Sequence, residues 1–204
     1  MSPYEHPLKG KRTFFRAIFL ALYSLLSIFV GIILMLIFRR HNKAIRRAWA
    51  KSMLFVIGVK VVMHGKLEPA NIYILNHRSL LDVILFEYIF ENDVAWVAKK
   101  ELADIPFFGL MLKIPNMINI DRRDKHSLRK LLKESKEAFK KGRSIAIFPE
   151  GTRSLRQEIR HFQNGAKIVA SIHNSTVQPI LIIVSRERLD TTNLIPSSGE
   201  VNIH

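Results

Sequence analysis

Apolar residues fall along the chain in three regimes. From Ala17 to Phe38 the run AIFLALYSLLSIFVGIILMLIF holds 22 residues without a charge. As a helix it would span about 33 Å, enough to cross the hydrocarbon core of a bilayer. From about residue 42 to 57 the spacing turns amphipathic. Ile45, Ala48, Trp49, Met53 and Val56 share one helical face, and Lys43, Arg46, Arg47 and Lys51 lie away from it. That pattern suits a helix lying in a membrane interface. Beyond Val59, short apolar runs alternate with helical stretches, which predicts an α/β domain.

Within that domain VKVVMHG, NIYIL, VAWVA, MINI, SIAIF and VQPILIIV read as strands, and GEVNIH as a final one. A helix is expected from Ser79 through SLLDVILFEYIF, another on the stripe Leu128, Leu131, Leu132, Ala138 and Phe139 ahead of Gly142, and a third over GAKIVASIH. The expected fold is α/β: a mixed, mostly parallel sheet flanked by helices, preceded by an N-terminal membrane-embedded two-helix segment. The anchor covers residues 1–58 and the folded domain 59–204. The two helices form either a hairpin held in one leaflet or a single span followed by a core helix. A cleaved signal peptide has an apolar region of only about 7–15 residues, which this run exceeds.

Charge sharpens the partner. The net charge is +15, and residues 1–64 alone carry eleven Lys/Arg against one acid, Glu5. A basic excess around an apolar segment favours anionic lipid over nucleic acid. No helix-turn-helix, RNA-binding or zinc-finger signature occurs. Lys9, Lys11, Arg12 and Arg16 precede the apolar run, and Arg39, Arg40, Lys43, Arg46, Arg47 and Lys51 follow it. With both flanks basic, the positive-inside rule gives no single orientation for a span. A hairpin would put both flanks on the cytoplasmic side. The absence of cysteine excludes disulfide and thiolate-metal frameworks.

The candidate chemistry sits where strands end. After NIYIL comes Asn76-His77-Arg78-Ser79, with Asp82 five residues past His77. On one continuous helix two such residues would point about 140° apart. They meet only if His77 is in the loop and Asp82 in the first helical turn. Ser79-x-x-Asp82 is also a capping box, a purely structural use of the same carboxylate. SIAIF runs into Phe148-Pro149-Glu150-Gly151-Thr152-Arg153. There Gly151 permits close backbone approach, and the planar fork of Arg153 suits phosphate. MINI ends at Asp121-Arg122-Arg123, and VAWVA at Lys99-Lys100. Four strand ends bearing one His–Asp pair and several cations converge on an anionic, phosphate-bearing substrate beside a general base.

The ordered set Asn76-His77-x4-Asp82, Ile120-Asp121-Arg122, Phe148-Pro149-Glu150-Gly151-Thr152-Arg153 and Pro179 in an apolar strand resembles the glycerolipid acyltransferases, and among them the 1-acylglycerol-3-phosphate acyltransferases. The resemblance runs from about Gly65 to Val184. Where that family often has a glycine shortly before its Asp-Arg pair, this chain has Pro-Asn-Met-Ile-Asn. The family usually continues a few tens of residues past GEVNIH.

The resemblance implies that residues 59–204 are an acyltransferase catalytic domain on the cytoplasmic side of the cell inner membrane or another cytoplasm-facing membrane. It implies His77 as the base, Asp82 as the residue that holds its tautomer, and Arg122, Arg153 and Lys99 as phosphate ligands. Glu150, Gly151 and Thr152 shape the acceptor site. Lysophosphatidic acid is the implied acceptor and acyl-CoA or acyl carrier protein the donor, with no cofactor and no metal. The first turn after His77 is expected to help stabilise an oxyanion. Other acceptors such as glycerol 3-phosphate, and a non-catalytic membrane lipid-binding protein, remain as alternatives. A hydrolase reading lacks an obvious nucleophile.

Overall fold

The computed structural model describes residues 11–154, 159–190 and 195–204, with side chains from Thr13 onward. Lys9 and Glu5 lie outside the described residues. The chain opens with α1 (Lys11–Ile37), a helix long and apolar enough to cross a membrane from Thr13 to Ile37. A short 3₁₀ turn, Arg39–His41, leads into α2 (Asn42–Ile57). Gly58 ends α2 at φ +81, donating its N–H to the carbonyls of Leu54 and Phe55 at 2.9 and 3.1 Å. A left-handed residue that closes the last turn is the usual use of glycine after a helix.

The domain then runs β1 (Val59–Met63), β2 (Ile72–Leu75), α3 (Leu81–Ile89) and β3 (Val94–Lys99). Two short helices, α4 (Lys100–Ala103) and α5 (Leu110–Lys113), lead to β4 (Ile118–Ile120) and α6 (Ser127–Lys140). There follow β5 (Ser144–Ile147), α7 (Gly165–His173), β6 (Val177–Ile180) and β7 (Ile182–Ile183). α8 (Ser185–Arg188), the two-residue strands β8 (Leu189–Asp190) and β9 (Ile195–Pro196), and β10 (Gly199–Ile203) complete the described chain.

Five strands form one parallel sheet in the order β4-β3-β5-β2-β6. Parallel strands covered by helices on both faces read as continuous apolar runs, which is why NIYIL and SIAIF show no polar alternation. Alternate residues of these strands feed two cores. Ile72, Ala95, Ile145 and Ile147 pack against Leu131, Ala138 and Val169 of α6 and α7. Tyr73, Leu75, Trp96 and Ala146 pack against Leu81, Leu85 and Phe86 of α3 and against Met53, Leu54 and Ile57 of α2. Pro179, which has no N–H to give a ladder, sits on the edge strand β6.

The run VQPILIIV breaks at Leu181. β7 turns into a second, mixed sheet of order β1-β10-β7, where β1 and β10 are parallel.

One sequence expectation is corrected. Arg46, expected on the outward polar face of α2, is only 3% exposed. The buried residues of α2 are Arg46, Ala50, Met53, Leu54 and Ile57. Its guanidinium ion-pairs with Glu87 of α3 and with Asp93, while Lys43 reaches Glu87 at 3.1 Å. Glu87 also accepts the indole N–H of Trp96 at 2.7 Å. A buried charge persists only with such partners.

Candidate active site

The four strand ends singled out in the sequence belong to β4, β3, β5 and β2, consecutive neighbours in the parallel sheet. Their carboxyl ends therefore form one row, where open α/β sheets bind ligands.

His77 follows β2. Its Nδ1 lies 2.9 Å from Asp82 Oδ2, and its ring stacks on Phe148 with centroids 4.1 Å apart. Asp82 is fully buried, and the same Oδ2 accepts the N–H groups of Arg78 at 2.6 Å and Ser79 at 2.8 Å. The carboxylate that holds His77 thus also makes one half of the expected capping box, its bond to the Ser79 amide, while the Ser79 hydroxyl turns to Leu81 and not to the amide of Asp82. Ser79 Oγ accepts the N–H of Leu81 at 3.1 Å and donates to the carbonyl of Leu189 at 2.6 Å. With Nδ1–H committed to Asp82, the Nε2 lone pair is left to take a proton.

Three of the amides that could serve the expected oxyanion role are engaged at the same atoms. The amides of Arg78 and Ser79 are spent on Asp82, and that of Leu81 on Ser79. These contacts orient the carboxylate.

Glu150 follows β5 and is 5% exposed. Its Oε1 accepts the backbone N–H of His77 at 2.9 Å and its Oε2 that of Arg160 at 3.0 Å. The amide of Ser154 donates to the carbonyl of His77 at 2.8 Å. Glu150 is therefore a clasp that ties the Phe148–Arg153 loop to the histidine. Gly151, at φ +73, lies under Arg122: a Cβ there would come within 3.0 Å of the Arg122 guanidinium. Burial lowers the pKa of Arg122 from the ordinary guanidinium range, and nearby Glu101 opposes that shift.

A cavity of about 650 Å³ opens beside this loop. Arg122, Glu150, Gly151, Thr152 and Arg160 supply its polar wall, and Leu131, Ile147 and Ile168 are among its apolar lining. Thr152 and Arg153 are exposed. His77 and Arg153 stand at the neighbouring edge of the loop, outside the lining. Lys99 is exposed at the end of β3, also outside it.

Within the Pro-Asn-Met-Ile-Asn segment Asn116 takes φ +53, the left-handed conformation that asparagine tolerates among non-glycine residues. Asn76 had no assigned role. Its buried side-chain amide donates to the carbonyl of Ile182 at 2.9 Å and accepts that residue's N–H at 2.7 Å, extending β2 pairing past its end. Arg78, 9% exposed and 3.5 Å from Glu187, is likewise a residue of this loop to which the sequence assigned no role. Its place within Asn-His-Arg-Ser was the available signal.

A parallel α/β sheet with a part-buried His–Asp pair at its carboxyl edge, beside an arginine-bearing cleft, has the form of an enzyme site that sets a base next to an anion-binding cleft. The particular family follows from comparison: the acyltransferase family model matches residues 58–183, and the chain belongs to that family. It is 39% identical over 172 residues to the 1-acyl-sn-glycerol-3-phosphate acyltransferase of Helicobacter pylori, covering 81% of this chain and 73% of that one. Against the Borreliella burgdorferi protein of the same name it is 30% identical, covering 78% and 65%. Against that of Escherichia coli it is 28% identical, covering 88% and 76%. The crystal structure of the 1-acyl-sn-glycerophosphate (LPA) acyltransferase from Thermotoga maritima shares the fold, with a TM-score of 0.78 at 22% identity over 95% of this chain and 84% of that one.

Proposed function

We propose that this enzyme transfers an acyl chain from a thioester of coenzyme A or acyl carrier protein to the sn-2 hydroxyl of 1-acylglycerol 3-phosphate, giving phosphatidic acid. The observation that carries the mechanism is the 2.9 Å bond from His77 to Asp82, which points the imidazole by its Nδ1 and leaves Nε2 as the base. The names of the relatives support the substrate pair.

In this reaction the acceptor hydroxyl attacks the thioester carbonyl carbon while His77 Nε2 takes its proton. The tetrahedral intermediate collapses, the C–S bond breaks, and the imidazolium returns the proton to the leaving thiolate. Asp82 holds the tautomer and offsets the imidazolium charge, as the carboxylate does in a serine triad. The substrate oxygen is the nucleophile, which agrees with the lack of a Gly-x-Ser-x-Gly elbow. Arg122 and Arg153 hold the acceptor phosphate. Gly151 lets the Arg122 fork approach the loop, Thr152 offers a hydroxyl, Lys99 draws the anion to the rim, and Glu150 keeps His77 in register.

The apolar α1 and the exposed face of α2 sit in the cytoplasm-facing leaflet, with both basic flanks and the catalytic domain on the cytoplasmic side. Purified protein supplied with oleoyl thioester should acylate lysophosphatidic acid in preference to glycerol 3-phosphate and to lysolipids without a terminal phosphate. His77→Ala should lower turnover on the order of 10²–10⁴-fold without unfolding the protein. Near wild-type activity in that variant would leave a lipid-binding protein as the better reading.

A further inference from the structure

The connection from β3 to β4 carries side chains that the reaction does not use. Leu102, Ile105 and Phe107 are exposed, Phe107 to 70%. A compact run of large apolar side chains in the open marks a contact surface.

The turn that presents them is built, not slack. Phe107 has φ +60, a conformation an aromatic residue keeps only where its surroundings over-determine it. Those surroundings are visible. The N–H of Phe108 donates to the Pro106 carbonyl at 2.7 Å, that of Gly109 to Ile105 at 2.8 Å, and that of Leu110 to Phe107 at 3.0 Å. Gly109 is pressed so closely on the preceding helix that a Cβ would lie 2.0 Å from the Ala103 carbonyl oxygen.

Position points to the occupant. α5, just past the turn, abuts α1, whose outer surface exposes Phe19, Leu22, Leu25, Leu26 and Phe29. On the other side Lys100 lies 3.8 Å from Asp121, the neighbour of Arg122 at the cleft. The turn thus links the apolar surface of α1 to the rim of the active site. Lys99, Lys100 and Lys113 slightly outnumber Glu101 and Asp104 along it. Apolar contact rather than charge therefore has to supply the depth, while the basic excess of residues 1–64 favours an anionic lipid surface.

We propose that the Leu102–Phe107 turn is a second membrane contact. It seats Ile105 and Phe107 at the headgroup–acyl boundary of an anionic bilayer and fixes how the cleft faces the lipid from which a lysolipid enters. This rests on the reading that α1 is membrane-embedded.

The chain has no cysteine, so single cysteines can be labelled uniquely. Full-length Phe107→Cys, Leu25→Cys and Glu137→Cys, each carrying an environment-sensitive fluorophore, would be reconstituted in vesicles of equal parts phosphatidylcholine and phosphatidylglycerol with a lipid-borne quencher. Labels at 25 and 107 should be quenched and the label at 137 should not. Quenching at 25 without quenching at 107 overturns the second contact and leaves the anchor standing. Failure at both positions removes the anchor reading as well. Independently, Phe107→Ser should raise KM for vesicle-borne lysolipid about tenfold, in line with loss of a buried aromatic, and leave short-chain, water-dispersed lysolipid unaffected. Equal losses on both substrates would mean local damage and sink the proposal.

Discussion

At the scale of single residues, Asp82 carries two loads on one oxygen. It receives His77 Nδ1 and the amides of Arg78 and Ser79, so it both aims the base and pins the turn that leads into the helix. Asp82→Asn should therefore lower stability by about 0.5–2 kcal/mol, the worth of a cap, and also lower turnover per folded molecule, because an amide favours the wrong imidazole tautomer. Thermal melting and rate, measured on the same preparation, separate the two. A destabilised variant with normal turnover per folded molecule would reduce Asp82 to a cap. The spacing of His77 and Asp82 was legible because only a loop–helix junction brings such a pair together. The two roles of Glu150 oxygens were not, since a backbone amide as partner leaves no mark in the sequence. Asn76 was hidden for the same reason.

At the scale of elements, the strands were readable because buried parallel strands leave unbroken apolar runs. The four-residue helices α4, α5 and α8 were not, since one turn shows no periodicity. The bend at Leu181 was masked by a run that stays apolar on both sides of it. The orientation of α2 failed for a sharper reason: Arg46 looks outward by type, and its partner Glu87 lies 41 residues on. A lone glutamate inside the apolar helix LDVILFEYI was the overlooked signal. That glutamate holds Arg46, Lys43 and the Trp96 indole. Burial lowers the pKa of Lys43 from the usual ammonium range, and Glu87 opposes the shift. Glu87→Ala leaves a buried guanidinium short of its partner and should cost about 3–5 kcal/mol. Denaturation of the purified variant in detergent would show it. A loss below about 1 kcal/mol, the range of exposed pairs, would mean that the cluster does not dock α2 on α3.

At the scale of the whole molecule, the division into an anchor of residues 1–58 and a domain of 59–204 meets a packing argument. Ala50, Met53, Leu54 and Ile57 are at most 4% exposed. They share one core with Tyr73, Leu75, Leu85, Phe86 and Trp96. Truncating a single buried Leu, Ile or Met to Ala typically costs about 2–5 kcal/mol. Whole domains are stable by only about 5–15 kcal/mol. Removing α2 deletes three such side chains outright, uncovers the α3 face they packed on, and strands Glu87 without Arg46. The 59–204 fragment should therefore lack a cooperative melting transition and aggregate. Polar replacement of Phe19, Leu22, Leu26 and Phe29 is a different operation. These side chains are exposed by half or more, so the fold should persist while binding to anionic vesicles falls. Melting curves and vesicle flotation on both proteins test the contrast. A soluble, cooperatively melting 59–204 fragment would show that α2 is a detachable anchor and not a wall of the catalytic core.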